Sequence, residues 1–263
     1  MLPNEIPRQR SPSVVAHRGA SATYPENTLE AFDGAISAGA DVVELDVRLT
    51  ADGEPVVMHD ADVASTTDGS GFLHTLTLAE VKRLNADRRE GQRSEVPTLR
   101  EALALLSGRC GVNIEVKNLP GEPSFDWPRE AAAEAAVRTL NDVTFEGFVL
   151  VSSFNWLSIE RVRSMEPAIP TGFLTMAAID PRAALRYVVS NGHTHVLPQS
   201  PAIFESGPDF VGEAHAEGVS VGTWTVDLPE GVEQLFAMGV DAVATNDPEM
   251  AVPIRDRFRA GAA

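Results

Sequence analysis

Short apolar runs alternate along this chain with longer segments whose apolar residues recur three and four positions apart. The short runs predict β-strands and the longer segments predict amphipathic helices. The predicted strands begin near residues 14, 42, 112, 148, 171, 195, 219 and 241. Eight strands that alternate with helices in about 250 residues are what a (β/α)8 TIM barrel requires, and a doubly wound open sheet is the competing architecture. The pattern favours the barrel.

Residues that cap helices mark the predicted helix boundaries. Asn27 or Thr28 is a good N-cap for the first helix, and Gly39 ends it. Farther along the chain, Thr77 and Glu80 have the spacing of a capping box. The remaining predicted helices cover roughly residues 98–106, 128–140, 156–164, 181–190, 209–217 and 230–238, with a last one after Pro248.

The stretch from Val42 to Asp60 predicts a strand, a turn and a second strand. The turn-forming cluster at residues 50–54 is too short for a parallel crossover, so the second strand should return antiparallel to the first. Folded in this way, the hairpin brings His59 back beside Glu44 and Asp46. The exact register depends on the turn type, which the sequence leaves open.

Residues 61–97 interrupt the alternation because they contain no long apolar strand. We interpret them as a small insertion after the second strand, with a glycine-rich loop, a short extended piece and one helix. Residues 1–13 hold three prolines and several charges without periodicity, which predicts a loose N-terminal arm. We therefore expect a single TIM-barrel domain over residues 14–260, with the insertion at about 61–97.

Two predicted strands carry charged residues at alternate positions. Residues two apart in a strand point to one face, so Glu44 and Asp46 should project together, as should Glu115 and Lys117. A structural ion pair between Glu115 and Lys117 is one interpretation, but inward acids on two strands favour a cation site. Three carboxylates without cysteine or clustered histidine predict one hard divalent cation, Mg²⁺ or Ca²⁺.

Two histidines lie where the chemistry of a TIM barrel is expected. Active sites of these barrels lie at the C-terminal ends of the strands, and His17 and His59 each follow a predicted strand. Imidazoles titrate near neutral pH, so the pair can supply one acid and one base. Arg18 offers a two-pronged phosphate contact, and Gly19 permits close approach of the backbone to a ligand. We interpret the other histidines as structural: His74, His193, His195 and His215.

The composition argues against several classes of partner. Lys and Arg number 21 against 38 Asp and Glu, and the net charge of −17 opposes binding to nucleic acid or to an anionic membrane. The first residues contain no apolar signal segment, and no later stretch approaches roughly 18 uninterrupted apolar residues. The single cysteine, Cys110, excludes an internal disulfide and fits a reducing compartment. We expect a soluble, cytoplasmic protein.

Six separated motifs of this chain resemble those of the glycerophosphodiester phosphodiesterase family and follow the same order across about residues 14–250. The motifs are HRGASATYPENTLEAF, VELDVRLTADGEPVVMHD, VPTLREAL, NIEVKN, VGTWTVD and DAVATNDP. So many motifs in register make the resemblance specific. It implies a (β/α)8 barrel with a small insertion after the second strand.

The resemblance also implies roles for individual residues. The implied metal ligands are Glu44, Asp46 and Glu115, and the implied acid and base are His17 and His59. The implied phosphate contacts are Arg18 and Lys117. Trp224 would line the glycerol side of the pocket, and a core-capping aromatic is the alternative interpretation of this residue.

Two positions depart from the pattern of the family. The family often carries an arginine in the loop after the His-Asp pair, where this chain has Ser65 at the apparent position. The near-terminal pattern is usually Thr-Asp-x-Pro, and here the residues are Thr245, Asn246, Asp247 and Pro248. Neither departure falls on an implied metal ligand or catalytic histidine, so they bear on substrate preference and loop packing.

The implied activity is metal-dependent hydrolysis of a glycerophosphodiester to glycerol 3-phosphate and an alcohol, through a cyclic phosphate. The alternatives are a lyase that stops at the cyclic phosphate and a non-catalytic barrel that binds a phosphate ligand. The sequence leaves open the leaving alcohol, the choice between Mg²⁺ and Ca²⁺, the role of each histidine and the oligomeric state. Residues 61–97 follow His59 almost directly along the chain, so we predict that the insertion helps form the pocket rim and partly sets the choice of leaving alcohol. Its mixed composition favours a small soluble diester over a membrane lipid.

Overall fold

The computed structural model describes residues 11–261 and contains a nine-stranded sheet that closes on itself through the pairing of its first and second strands. The strands are β1 (Ser13–His17), β2 (Val42–Leu49), β3 (Pro55–Val57), β4 (Gly111–Val116), β5 (Val149–Ser153), β6 (Thr171–Thr175), β7 (His195–Pro198), β8 (Ser220–Thr223) and β9 (Ala242–Thr245). All except β3 are parallel, and the pairing of β1 with both β2 and β9 closes the barrel. The predicted (β/α)8 TIM barrel is confirmed.

The helices follow the strands in the order that the barrel requires. They are α1 (Leu29–Ser37), α2 (Leu78–Val81), α3 (Leu99–Leu106), α4 (Ala131–Asp142), α5 (Trp156–Met165), α6 (Pro181–Asn191), α7 (Ser200–Ala216), α8 (Pro229–Ala237) and α9 (Pro248–Gly261). Thr28 caps α1, and Thr77 forms the predicted capping box with Glu80 at the start of α2. None of the described helices combines the length and the apolar character needed to cross a bilayer.

The predicted hairpin is confirmed, and the structure fixes its register. Strand β3 runs antiparallel to β2 with Val57 opposite Val47. Just beyond the paired residues, the Met58 backbone N–H donates a hydrogen bond of 2.9 Å to the Asp46 carbonyl. His59 therefore returns beside the C-terminal half of β2, next to the acidic residues.

The insertion forms a small satellite core against the outer side of the hairpin. It contains two short 3-10 turns, at Val63–Ser65 and Leu73–Thr75, and helix α2. Its buried apolar residues pack on Val56 and Met58 of the hairpin. The insertion is thus anchored directly behind the segment that carries His59.

The barrel is packed on its outer face and partly hollow inside. Two large clusters of buried apolar residues fill the space between the helices and the strands, with Phe32 in one and Phe210 in the other. Inside, Leu197 occupies the space between two glycines, Gly172 on β6 and Gly222 on β8. A Cβ atom at either glycine would lie 2.7 Å from a methyl carbon of Leu197, so a larger residue at either position would displace this leucine.

The largest difference from the sequence prediction is in α7. We predicted a helix over residues 209–217, but helical structure begins at Ser200 and is interrupted at Gly207, whose φ of 69° breaks the helical geometry. The sequence pattern around Pro201 and Gly207 resembles a loop. Proline is compatible with the first turn of a helix because its missing N–H has no intrahelical partner there.

The predicted N-terminal arm lies mostly outside the described residues. Within them, β1 begins at Ser13, whose backbone N–H donates a hydrogen bond of 2.8 Å to the Asp241 carbonyl. The last residues of the predicted arm are therefore part of the closed sheet.

Candidate active site

Three buried carboxylates meet at the C-terminal end of the barrel. Glu44 and Asp46 project inward from β2, and Glu115 projects from the neighbouring β4, where it pairs in register with Asp46. One oxygen from each group lies within 4.8 Å of the others, and all three residues are buried. Strand periodicity and the parallel register of β2 and β4 together produce this cluster.

The carboxylate cluster has the properties of a cation site. Among the described residues, Glu44 Oε1 and Asp46 Oδ1 are buried side-chain oxygens without a hydrogen-bond partner. Burial, followed by repulsion from Asp46 and Glu115, raises the pKa of Glu44 well above its usual value. Burial also raises the pKa of Glu115. A hard divalent cation fits this set of oxygen donors, because it would satisfy the free oxygens and relieve the repulsion.

Two cationic side chains border the carboxylates. Lys117 Nζ lies 2.7 Å from Glu115 Oε1 and 3.5 Å from Asp46 Oδ1. Burial alone would lower the pKa of Lys117, but the two carboxylates raise it, so the amine stays charged. Arg18 Nε lies 3.4 Å from Asp46 Oδ2. Burial would raise the pKa of Asp46, yet Lys117 and the other neighbouring cations hold it at about 2.

The backbone at the end of β1 turns sharply to place Arg18 in the site. Arg18 has a φ of 56°, in the left-handed region that non-glycine residues seldom adopt. Its N–H donates a 2.9 Å hydrogen bond to Glu44, and its guanidinium pairs with Glu26 at 3.0 Å. Gly19 serves helix packing rather than ligand approach, because a Cβ there would lie 2.7 Å from atoms of Ala31 on α1.

The two predicted catalytic histidines line the same cavity, and each is held through Nδ1. His17 Nδ1 lies 2.8 Å from Asn246 Oδ1, and His59 Nδ1 lies 2.7 Å from Asp60 Oδ1. Burial, reinforced by Arg18, lowers the pKa of His17 to about 4. Burial also lowers the pKa of His59, against the opposing effect of nearby Asp46. An imidazole anchored through Nδ1 has Nε2 available for proton transfer.

A cavity of about 1450 Å³ opens from this cluster into the barrel. Its walls include all the predicted site residues except Asp46, and Trp224 forms part of its apolar side. Trp224 follows β8, packs edge-on against Phe154 with ring centroids 5.3 Å apart, and donates from its indole N–H to the Leu197 carbonyl at 2.9 Å. The cavity wall also includes Leu119 and Glu122, from the loop between β4 and α4.

The insertion contributes to the site differently from our prediction. Of the described residues, none between 61 and 97 lines the cavity. Instead, Ser65 of the insertion lies beside Asp60, the partner of His59. Burial would raise the pKa of the Asp60 carboxyl, but His59 and, to a smaller extent, Ser65 lower it. The prediction that the insertion forms the pocket rim is not supported, because the insertion packs on Val56 and Met58 behind the hairpin, whereas the β4–α4 loop does contribute to the cavity wall.

A sequence profile of the glycerophosphoryl diester phosphodiesterase family matches residues 17–250. The chain belongs to this family. A glycerophosphodiester phosphodiesterase from Caldanaerobacter subterraneus is 37% identical over 243 residues, which is 90% of this chain and 94% of that protein. A second glycerophosphodiester phosphodiesterase, from Bacillus altitudinis, is 32% identical over an alignment that covers 94% of this chain and 99% of that protein.

A solved structure extends this similarity to three dimensions. It is a phosphodiesterase from Oleispira antarctica in complex with the product sn-glycerol 3-phosphate. The two chains are 30% identical, the superposition covers 94% of this chain and 97% of that chain, and the TM-score is 0.84. The family assignment made from the six sequence motifs is confirmed.

Three groups around the candidate site were not identified as site residues from the sequence. The Asn27 side-chain amide donates to Asp46 Oδ2 at 2.8 Å. Arg48 donates to the His59 carbonyl at 2.6 Å and forms a two-pronged pair with Glu122 at 2.6 and 2.8 Å. Asn246 contacts His17, as described above. Strand periodicity predicts that Arg48, two residues after Asp46, points inward. It does not predict that the partner of Arg48 is Glu122, in a distant loop.

The Arg48–Glu122 pair should stabilise the fold measurably, since it joins the His59 segment to the β4–α4 loop. The Arg48 side chain is 5% exposed and that of Glu122 is 25% exposed. Glu122→Gln would leave a buried guanidinium without its anionic partner, and we expect the free energy of unfolding to fall by about 1–2 kcal/mol. Urea unfolding measures this change.

The matched control is the surface pair of Arg100 and Asp142, whose side chains are 55% and 64% exposed. Asp142→Asn should lower the free energy of unfolding by less than about 0.5 kcal/mol, because exposed ion pairs contribute little. Equal effects of Glu122→Gln and Asp142→Asn would show that the buried pair is no more important than the surface pair.

Proposed function

We propose that this protein hydrolyses glycerophosphodiesters to glycerol 3-phosphate and an alcohol by general acid–base catalysis. The observation that carries the proposal is the meeting of a buried three-carboxylate cluster with two anchored imidazoles, His17 and His59, in one cavity. The names of the two bacterial relatives and the product bound in the Oleispira antarctica structure support this substrate class.

The proposed cofactor is one divalent cation, Mg²⁺ or Ca²⁺, held by Glu44, Asp46 and Glu115. When bound, it would supply positive charge to a phosphate oxygen and lower the pKa of the glycerol 2-hydroxyl. Arg18 and Lys117 border the same carboxylates, so they are placed to neutralise the negative charge that gathers on the phosphate oxygens in the transition state.

The Nδ1 partners of the two histidines favour a division of roles. His17 faces the neutral carboxamide of Asn246, whereas His59 faces the carboxylate of Asp60, which stabilises a protonated imidazole. We therefore assign His17 as the base that takes the proton of the 2-hydroxyl as this oxygen bonds to phosphorus. His59 protonates the leaving alcohol as its bond to phosphorus breaks.

The second half of the reaction reverses these roles. His59 takes a proton from water as the water oxygen bonds to phosphorus. His17 returns its proton to the 2-oxygen as the ring of the cyclic phosphate opens. The products are glycerol 3-phosphate and free enzyme, with both histidines in their starting states.

Two alternative functions share part of this arrangement. A lyase would use the same first step and release the cyclic phosphate. A non-catalytic phosphate binder would need positive charge from the divalent cation, Arg18 and Lys117, but it would not need a pair of anchored imidazoles. The geometry of His17 and His59 therefore favours an enzyme over a binder.

A turnover panel tests the proposed function. We expect the purified enzyme with Mg²⁺ or Ca²⁺ to release glycerol 3-phosphate from glycerophosphodiesters of choline, ethanolamine, glycerol or inositol, because these diesters share the phosphoglycerol group that the proposed site residues would contact. Phosphorus NMR of the products distinguishes the open phosphate from the cyclic one. Accumulation of cyclic phosphate would favour the lyase, and binding of glycerol 3-phosphate without turnover of any diester would favour the binder.

We further propose that residues 14–260 act as a single catalytic domain in the cytoplasm. The single cysteine, which cannot form an internal disulfide, fits a reducing compartment. Burial raises the pKa of the Cys110 thiol to about 12, which makes this cysteine unreactive. Full activity of a chain that begins at residue 11 would support the single-domain proposal, and loss of activity with retained folding would contradict it.

A further inference from the structure

The hydrogen-bond partner of His17 is itself held by a second residue. Asn246 follows β9, and its Oδ1 faces His17 Nδ1 at 2.8 Å. On its other side, the Asn246 Nδ2 donates to Asp227 Oδ2 at 2.7 Å, and its backbone N–H donates to Asp227 Oδ1 at 2.8 Å. Asp227 lies in the loop between β8 and α8, so residues from three neighbouring segments form one chain of hydrogen bonds.

The direction of every hydrogen bond in this chain follows from Asp227. An ionised carboxylate only accepts, so the group of Asn246 that faces it must be the NH2 and the group that faces His17 must be the oxygen. His17 Nδ1 must then carry a proton and donate it to that oxygen. The tautomer with a free Nε2 is the form that a general base requires.

Only a carboxylate at position 227 satisfies both donors of Asn246. The backbone N–H and the side-chain NH2 of Asn246 each use a separate oxygen of Asp227. An asparagine at position 227 has one oxygen and one NH2. Its oxygen could accept from one donor of Asn246, but its NH2 would face the other donor of Asn246. Relief of that conflict would allow the Asn246 carboxamide to turn its NH2 toward His17.

We propose that Asp227 is a positioning residue for the reaction described above. It orients the Asn246 carboxamide and thereby fixes the productive tautomer of His17. The proposal rests on the proposed function of His17 as the base, and it assigns a role to a residue that touches neither substrate nor metal ligand.

The test compares the effect of Asp227→Asn in two backgrounds. In the natural background, we expect kcat to fall on the order of 10-fold to 100-fold with KM changed less than about twofold, since ring orientation and tautomer are lost while binding groups remain. In the background of Asn246→Asp, position 246 presents a carboxylate oxygen to His17 in either orientation. The same Asp227→Asn change should then leave kcat unchanged or raise it, because the new side-chain NH2 faces a carboxylate oxygen and the repulsion between two carboxylates is removed.

The comparison separates positioning from a structural role. A merely structural contribution of Asp227 would give the same loss of kcat in both backgrounds, and this result would overturn the proposal. So would an unchanged kcat for Asp227→Asn in the natural background. Thr245→Val is the folding control, because Thr245 Oγ1 also donates to Asp227, at 3.1 Å, without touching the Asn246 carboxamide. It should leave kcat within about twofold of the parent enzyme.

A spectroscopic measurement makes the test independent of turnover. The ¹⁵N chemical shifts of the His17 ring, assigned by their absence in His17→Ala, report which nitrogen carries the proton. We expect the Nδ1-protonated form in the parent enzyme and a shift of population toward the Nε2-protonated form in Asp227→Asn. If the parent turned over no diester, the proposed function would fail, whereas an unchanged His17 tautomer in Asp227→Asn would refute the positioning role alone.

Discussion

Removal of divalent cations with EDTA should abolish turnover, and Mg²⁺ or Ca²⁺ should restore it. The three carboxylates repel one another, and two of their buried oxygens have no hydrogen-bond partner among the described residues. A bound cation would stabilise transition-state charge by several kcal/mol, so we expect a loss of roughly 10³-fold or more. Activity is measured on enzyme whose metal content has been determined by elemental analysis.

Metal binding should also be visible without activity. A cation that binds only the folded protein raises the midpoint of thermal unfolding, and Glu44→Gln should remove this increase because it takes a charged ligand from the cluster. The matched control is Glu134→Gln, since Glu134 is a buried glutamate on α4 that pairs with Arg138 and Arg161 outside the site. Full turnover by metal-free enzyme would exclude the proposed cation.

Replacement of either imidazole should slow catalysis severely while the cation site survives. For His17→Ala and His59→Ala we expect kcat to fall by about 10² to 10⁴, the range that a positioned acid or base contributes. The thermal shift caused by Mg²⁺ or Ca²⁺ should persist in both variants. His215→Asn serves as the control, because His215 pairs with Asp241 at the opposite end of the barrel.

The two variants should differ when the leaving group changes. A nitrophenyl ester of glycerol 3-phosphate departs without a proton, so His59→Ala should recover most of its rate with this substrate if His59 is the acid. His17→Ala should remain slow, because the 2-hydroxyl still needs a base. Recovery of rate by His17→Ala instead of His59→Ala would show that His17 is the acid and His59 the base. Near-normal turnover of natural diesters by either variant would show that the replaced histidine is not catalytic.

The local part of the site was predictable because it follows from strand geometry. The alternation of side chains along a strand places Glu44 and Asp46 on one face, and the short turn returns His59 to them. The sequence did not determine the hairpin register, but only one register buries Val47 and Val57 on the core side while placing His59 at the cluster. Burial of apolar side chains therefore selected the register.

The supporting contacts were less predictable because they join residues that are distant in the sequence. Arg48 and Glu122 are separated by 74 positions, and His17 and Asn246 by 229. No local pattern marks either pair. The near-terminal departure from the family pattern did single out Asn246, and the predicted closure of the barrel could have placed it beside His17. Its second partner, Asp227, lies in a loop whose path only the structure shows.

The pairing of β1 with β9 has a consequence for the order in which the protein is made. The proposed metal ligands and the two proposed catalytic histidines lie within the first 115 residues, but the Asn246 side chain that contacts His17 lies near the C-terminal end of the described chain. During synthesis on the ribosome, all three residues of the acidic cluster are therefore synthesised long before Asn246, the hydrogen-bond partner of His17. Such long-range contacts form late in folding. We therefore expect the nascent chain to become catalytically competent only after β9 has paired with β1.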